Sequence, residues 1–167
     1  MPPVSPTPAR ANPGPLRAIL WGGFLSGALD ITAAFVVYGA MGVRPMPLLK
    51  GIASGLLGSS AFAGGWPTAL LGLFFEFLIA TGAAAVYVFV SRPLGFLIRR
   101  PFVSGPLYGI AVYWFMQLVV LPLSRYARHG FSLRLTLIGI AIHMVCVGLP
   151  IALAASRFAT RPPPTAN

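Results

Sequence analysis

Residues 69–90 read ALLGLFFEFLIATGAAAVYVFV, twenty-two residues with a single charge, Glu76. As an α-helix this run is about 33 Å long, enough to cross a hydrocarbon core of about 30 Å. It is continuously apolar instead of alternating, which favours a helix over a barrel strand, and a helix satisfies its own backbone groups within the segment. Outward from it, three further stretches have the same character: Leu16 to Gly39, Val103 to Leu123 and Leu135 to Ser156. Of 167 residues, 57% are hydrophobic and 8% charged, with mean hydropathy +0.84, whereas soluble domains carry roughly a quarter charged residues. The expected fold is an all-α integral membrane protein, a four-transmembrane-helix bundle forming one membrane domain over 16–157.

The flanks and the first loop differ from the spans. Residues 1–15, MPPVSPTPARANPGP, hold six prolines and little apolar surface, the composition of a disordered arm. Residues 158–167 read as a similar tail. The first apolar run is longer than the roughly 7 to 15 residues of a signal-peptide core, so it is expected to stay as an anchor. Residues 47–67, PLLKGIASGLLGSSAFAGGWP, are too apolar for a water-exposed connection. Leu49, Ile52 and Leu56 recur at helical spacing, which predicts an extra interfacial or re-entrant helix near 48–64. Its five glycines serve close packing, or a backbone-lined gate.

Both acidic residues of the chain, Asp30 and Glu76, fall inside predicted spans. A charge at that depth is costly, so each is expected to face the bundle interior, protonated or partnered. At 100° per residue Asp30 shares a face with Gly23, Ser26 and Gly27, and Glu76 with Ala69, Gly72, Ala80, Ala83 and Tyr87. Such small-residue stripes are where membrane helices approach, and Gly23 with Gly27 forms a GxxxG pair. Leu71, Phe74, Leu78 and Phe89 make the opposite, lipid-facing side of the second span. The third span adds Gln117, and the fourth adds His143 on a stripe with Thr136, Gly139, Cys146 and Pro150. Counting about 1.5 Å per residue from alternating ends puts Asp30, Glu76, Gln117 and His143 in one layer somewhat past the midplane. Asp30 is expected to meet His143 or another hydrogen-bonding group there. With His143 the only cation for two acids, at least one carboxyl should be neutral at pH 7 if the layer is dry. Pro150 removes a backbone hydrogen bond and crowds the Cys146 carbonyl, predicting a bend just beyond His143.

Other chemistries lack their motifs. The net charge of +10 comes from twelve basic residues scattered over span ends, loops and tails, which favours anionic lipid headgroups over nucleic acid as the partner. With the N-terminus cytoplasmic, Arg10, Arg17, Arg92, Arg99, Arg100, Arg157 and Arg161 lie inside and Arg44, Lys50, Arg125, Arg128 and Arg134 outside, a bias of seven to five in favour of cytoplasmic termini. No GxxxxGK[ST], GxGxxG, HExxH or GxSxG occurs, so no phosphate loop, metal site, cofactor or hydrolase nucleophile is indicated, and no enzyme is expected. The single cysteine, Cys146, admits no intrachain disulfide and reads as a small packed side chain.

The runs EFLIATGAAAVY, GPLYGIAVYWFMQLVVLPLS and IGIAIHMVCVGLPIALAASR, between Leu73 and Arg157, resemble the YagU-like family of small bacterial inner-membrane proteins of unknown function, and GGFLSGALDITAAFVVYG is similar in its glycine spacing. The resemblance implies a multi-pass protein of the bacterial cytoplasmic membrane and a four-span bundle, and it carries over no chemistry. The functional expectation is a proton- or solute-handling, transporter-like subunit built on the layer of Asp30, Glu76, Gln117 and His143, with Gly23, Gly27, Gly72 and Gly139 for helix packing. Four short helices enclose little volume, so a homo-oligomer or larger membrane complex is the natural way to build a path. The alternative is a structural or accessory subunit whose buried polar groups only hold helices together, at about 0.6 to 2 kcal/mol per bond.

Overall fold

A computed structural model describes residues 14–127, 130 and 132–158. Residues 1–13 of the arm expected over 1–15 and 159–167 of the tail expected over 158–167 lie outside the described residues, as do Arg10, Arg128 and Arg161 of the charge tally. The described residues are 87% helical, with no strand among them. Four helical stretches are long and apolar enough to cross a membrane: Gly14–Ala40, Trp66–Val90, Pro101–Leu123 and Leu133–Phe158. The protein is an all-α bundle of multi-pass membrane type.

Each span begins before its apolar run. Gly14 and Pro15, expected to end the arm, belong to the first turn of α1 (Gly14–Ala40), and Phe158, expected in the tail, ends the last helix. Helix α3 (Trp66–Val90) carries Pro67 and α5 (Pro101–Phe115) carries Pro101 in the first turn. Proline fits there because those N–H groups have no intrahelical acceptor, and hydropathy alone does not see it. The fourth span starts as α7 (Leu133–Ile142), where Ser132 Oγ accepts from the Leu135 N–H at 3.5 Å, and finishes as α8 (Leu149–Phe158). The cap satisfies one of the orphan donors of that terminus.

The first loop folds into α2 (Pro45–Leu57) and a 3₁₀ segment, Gly58–Ala63. Gly58 closes α2 with φ +65°, a left-handed conformation suited to glycine, and its N–H bonds the Ser54 carbonyl. Leu49 is buried against Ile31 of α1 and Ala69 of α3. Its carbonyl occupies the place a Cβ on Gly72 would take. Gly72 lies six residues into α3, or about 9 Å along its axis. Helix α2 therefore packs into the bundle between span ends, against α1 and α3, and the 3₁₀ segment returns the chain to the start of α3. A short helix, α4 (Phe96–Arg99), joins α3 to α5.

The two ends of the bundle are built differently. On the side of the described chain ends, α1 packs along α3 and α8, and α5 packs on α8. Ala18, Ala84, Tyr87, Val88, Ile151 and Ala155 form a dry core there. Tyr87 donates to the Leu97 carbonyl at 2.9 Å and meets Ser104 Oγ at 2.8 Å, while Tyr108 donates to the Ala83 carbonyl at 2.7 Å. These bonds tie the second span to the third and to its connection. On the other side α2 packs on α3, and α7 makes its tertiary contact with α5. That arrangement is what leaves room for a site. On the outer surface Phe74, Leu78 and Phe89 are exposed, as an apolar solvent permits, whereas Leu71 is half-buried, because the bundle claims a wider arc of α3 than the wheel predicts.

Candidate functional site

Each span brings one polar residue to the open half of the bundle. Asp30 comes from α1 and Glu76 from α3. Gln117 lies in a π-helical turn, Met116–Val120, between α5 and the last turn of the third span, α6 (Leu121–Leu123). His143 opens a second π turn, His143–Gly148, between α7 and α8. In both spans the π turn ends two residues before a proline, Pro122 or Pro150. Those prolines cannot donate to the Leu118 and Cys146 carbonyls and crowd them, and a widened turn accommodates both faults. The hydrogen bond that Pro150 removes thus falls at a π turn, and Pro122 repeats the device in the third span.

All four residues line one cavity of about 420 Å3, walled by α1, α3, the third span and the fourth, with Leu48, Gly51, Ile52 and Gly55 of α2 on its remaining side. An adjoining cavity of about 550 Å3 shares Asp30, Gln117 and His143 and extends to Thr136 and Gly139. Gln117 is exposed, and the surface it exposes faces these cavities. Asp30, Glu76 and His143 are each half-buried.

Within the layer, Asp30 and Glu76 are close electrostatic neighbours, while His143 makes its hydrogen bond within its own helix. The small-residue stripes explain this. Thr81 backs onto Gly23, and Phe77 and Ala80 onto Gly27, so closely that a Cβ on Gly23 would stand 2.6 Å from Thr81 Cα and one on Gly27 2.9 Å from Phe77 Cδ1. Helices α1 and α3 therefore touch along the faces that carry the two acids. The Gly23 and Gly27 face is thus used inside the chain, for packing one span on another.

His143 is held otherwise. Its Nδ1 lies 2.9 Å from the Gly139 carbonyl, and a carbonyl only accepts, so Nδ1 carries a hydrogen and Nε2 is the ring nitrogen turned to other partners. The ring stands edge-on to Tyr113, centroids 5.4 Å apart at 80°. A Cβ on Gly139 would come within 2.6 Å of the Tyr113 ring. Gly139 thus admits Tyr113 and offers the carbonyl that orients His143. Three glycines that the sequence reading did not single out make the neighbouring crossing: Gly105 and Gly109 of α5 face Gly148 and the His143 backbone, with no room for a Cβ. The GxxxG spacing of Gly105 and Gly109 was the available signal.

Tyr38 and Tyr126 line both cavities and Tyr113 the second. Burial holds the Tyr126 phenol, just beyond the third span, above its ordinary value, so it stays a neutral hydroxyl at physiological pH. No lysine or arginine lines either cavity among the described residues. Among them, too, no group of three or more His, Cys, Asp or Glu side chains is placed to hold a metal ion. Such a surface can bind or relay a proton, or hold a small molecule.

No family model, no curated protein and no solved structure matches this chain.

Proposed function

We propose that this multi-pass membrane protein is a small, non-enzymatic, transporter-like subunit whose polar cavity handles a proton or a small solute. One observation carries the reading: the four strongly polar residues, one from each span, line a single cavity with the only two acids of the chain side by side. Intramembrane ionisable groups that face a cavity mark pathways for ions or substrates. The packing supports it further, because the glycine crossings and the Tyr87–Ser104 bonds hold the bundle without the acids. A purely structural role for Asp30 and Glu76 would leave the cavity beside them without a purpose.

Proteoliposomes with an interior pH dye test this reading under an imposed proton gradient. The wild type is expected to pass protons above empty vesicles, and Asp30→Asn and Glu76→Gln to fall to the background while still folding. No flux from the wild type, together with unfolded variants, would favour the accessory subunit whose polar groups only fasten helices.

A further inference from the structure

We infer that the cavity is a binding site for a singly charged organic ammonium ion with an apolar or aromatic body. This rests on the reading of the cavity as a solute site and names the class of solute.

Sign, size and wall each limit the occupant. Asp30 and Glu76 are the carboxylates, and no lysine or arginine lines the cavities among the described residues, so the local field attracts a cation. Away from bulk water that attraction is little screened. A relay for protons alone needs no room, whereas about 420 Å3 beside the acids lies within the roughly 300 to 1,000 Å3 usual for small-molecule pockets. A bare metal ion finds no cluster of three ligands among the described residues. Ile31, Ile79, Val112, Met116 and Val147 supply an apolar wall beside the carboxyls, which suits a hydrocarbon body and disfavours a polyhydroxylated one. Tyr38, Tyr113 and Tyr126 add aromatic rings, whose faces attract organic cations. The polar groups then divide by role. The Asp30–Glu76 pair takes the ammonium group, and Gln117 and His143 Nε2 can accept its remaining N–H bonds.

The test uses the full chain in detergent micelles and isothermal titration with three compounds of similar shape: 2-phenylethylamine, a cation at neutral pH, neutral 2-phenylethanol and anionic phenylacetate. The amine is expected to bind saturably, with the alcohol and the acid weaker by about tenfold or more, since each leaves the carboxyls without a charged partner. Asp30→Asn and Glu76→Gln should weaken the amine by a similar factor, while Asp30→Glu, which keeps the charge, should retain most of the affinity. The ligand series needs no variant, so a variant that fails to fold does not blunt it. Alcohol binding as tight as the amine, or no saturable amine binding at millimolar concentration, overturns the inference. Proton flux in vesicles without amine binding would overturn this inference alone and leave the proton-handling reading intact. Absence of both would remove the two together.

Discussion

Between Asp30 and Glu76 the inventory of donors decides the chemistry. Two ionised carboxylates offer only acceptors and repel each other when they lie close together, so this pair is expected to hold one proton. Infrared difference spectroscopy at neutral pH should therefore show a protonated-carboxyl band in the wild type, and Asp30→Asn and Glu76→Gln should each remove it. A wild-type spectrum without that band would mean that both acids are ionised and separated by water or a cation. Gly139 gives a second prediction at this scale. With a Cβ 2.6 Å from the Tyr113 ring, Gly139→Ala should lower stability by about 1 to 3 kcal/mol, the usual cost of overpacking. Gly82 has nothing within 4 Å of its missing Cβ, so Gly82→Ala should change stability by no more than about 1 kcal/mol, the scale of helix propensity. Thermal unfolding of the two variants in micelles compares them directly. The acids and the histidine were legible in the sequence because a charge in an apolar run has no cheap explanation. Which of them meet was not, since the wheel gives a direction and no partner.

Helix α2 and the π turns show what an element's sequence states and omits. The periodicity of Leu49, Ile52 and Leu56 announces a helix in the first loop, but its seat in the bundle depends on Gly72 yielding its place to the Leu49 carbonyl on another element. The far end of α2 is pinned by the Arg125 N–H bonding the Gly55 carbonyl at 2.8 Å. Beside that bond a Cβ on Gly55 would stand 3.8 Å from Ser124 Cβ, close to the separation of about 3.8 Å found in disulfides. In a Cys146→Ala background, Gly55→Cys with Ser124→Cys should therefore oxidise readily, as thiol counting and mass spectrometry would record. Failure to cross-link under oxidant would mean that α2 does not lie against the end of the third span. If α2 must move for a solute to pass, the bridge should also suppress transport, and reductant should restore it. The π turns were half legible. Pro122 and Pro150 mark where an α-helix fails, but a straight α wheel does not show that a π turn precedes each of them and contains Gln117 or His143.

For the whole molecule, the spans converge into a dry core on one side and spread around α2 on the other, so the cavity and its polar layer lie in one half of the bundle. Four crossings put residues before α1 and after α8 on the same side, whatever the orientation. Cysteines placed at Ser5 and Thr165, in the same Cys146→Ala background, should be labelled together by a membrane-impermeant thiol reagent applied to one face of oriented vesicles. Opposite sidedness would remove one span and with it the common layer. The sequence by itself determined that this chain is a bundle of four apolar helices with its acids turned inward, because hydrophobic length and the cost of a buried charge are local properties that each segment states alone. Only the tertiary structure decided that Asp30 lies beside Glu76, that Gly139 and Tyr113 hold His143, and that α2 packs into the bundle, because these depend on how closely one backbone can approach another, and that distance is set jointly by residues far apart in the chain.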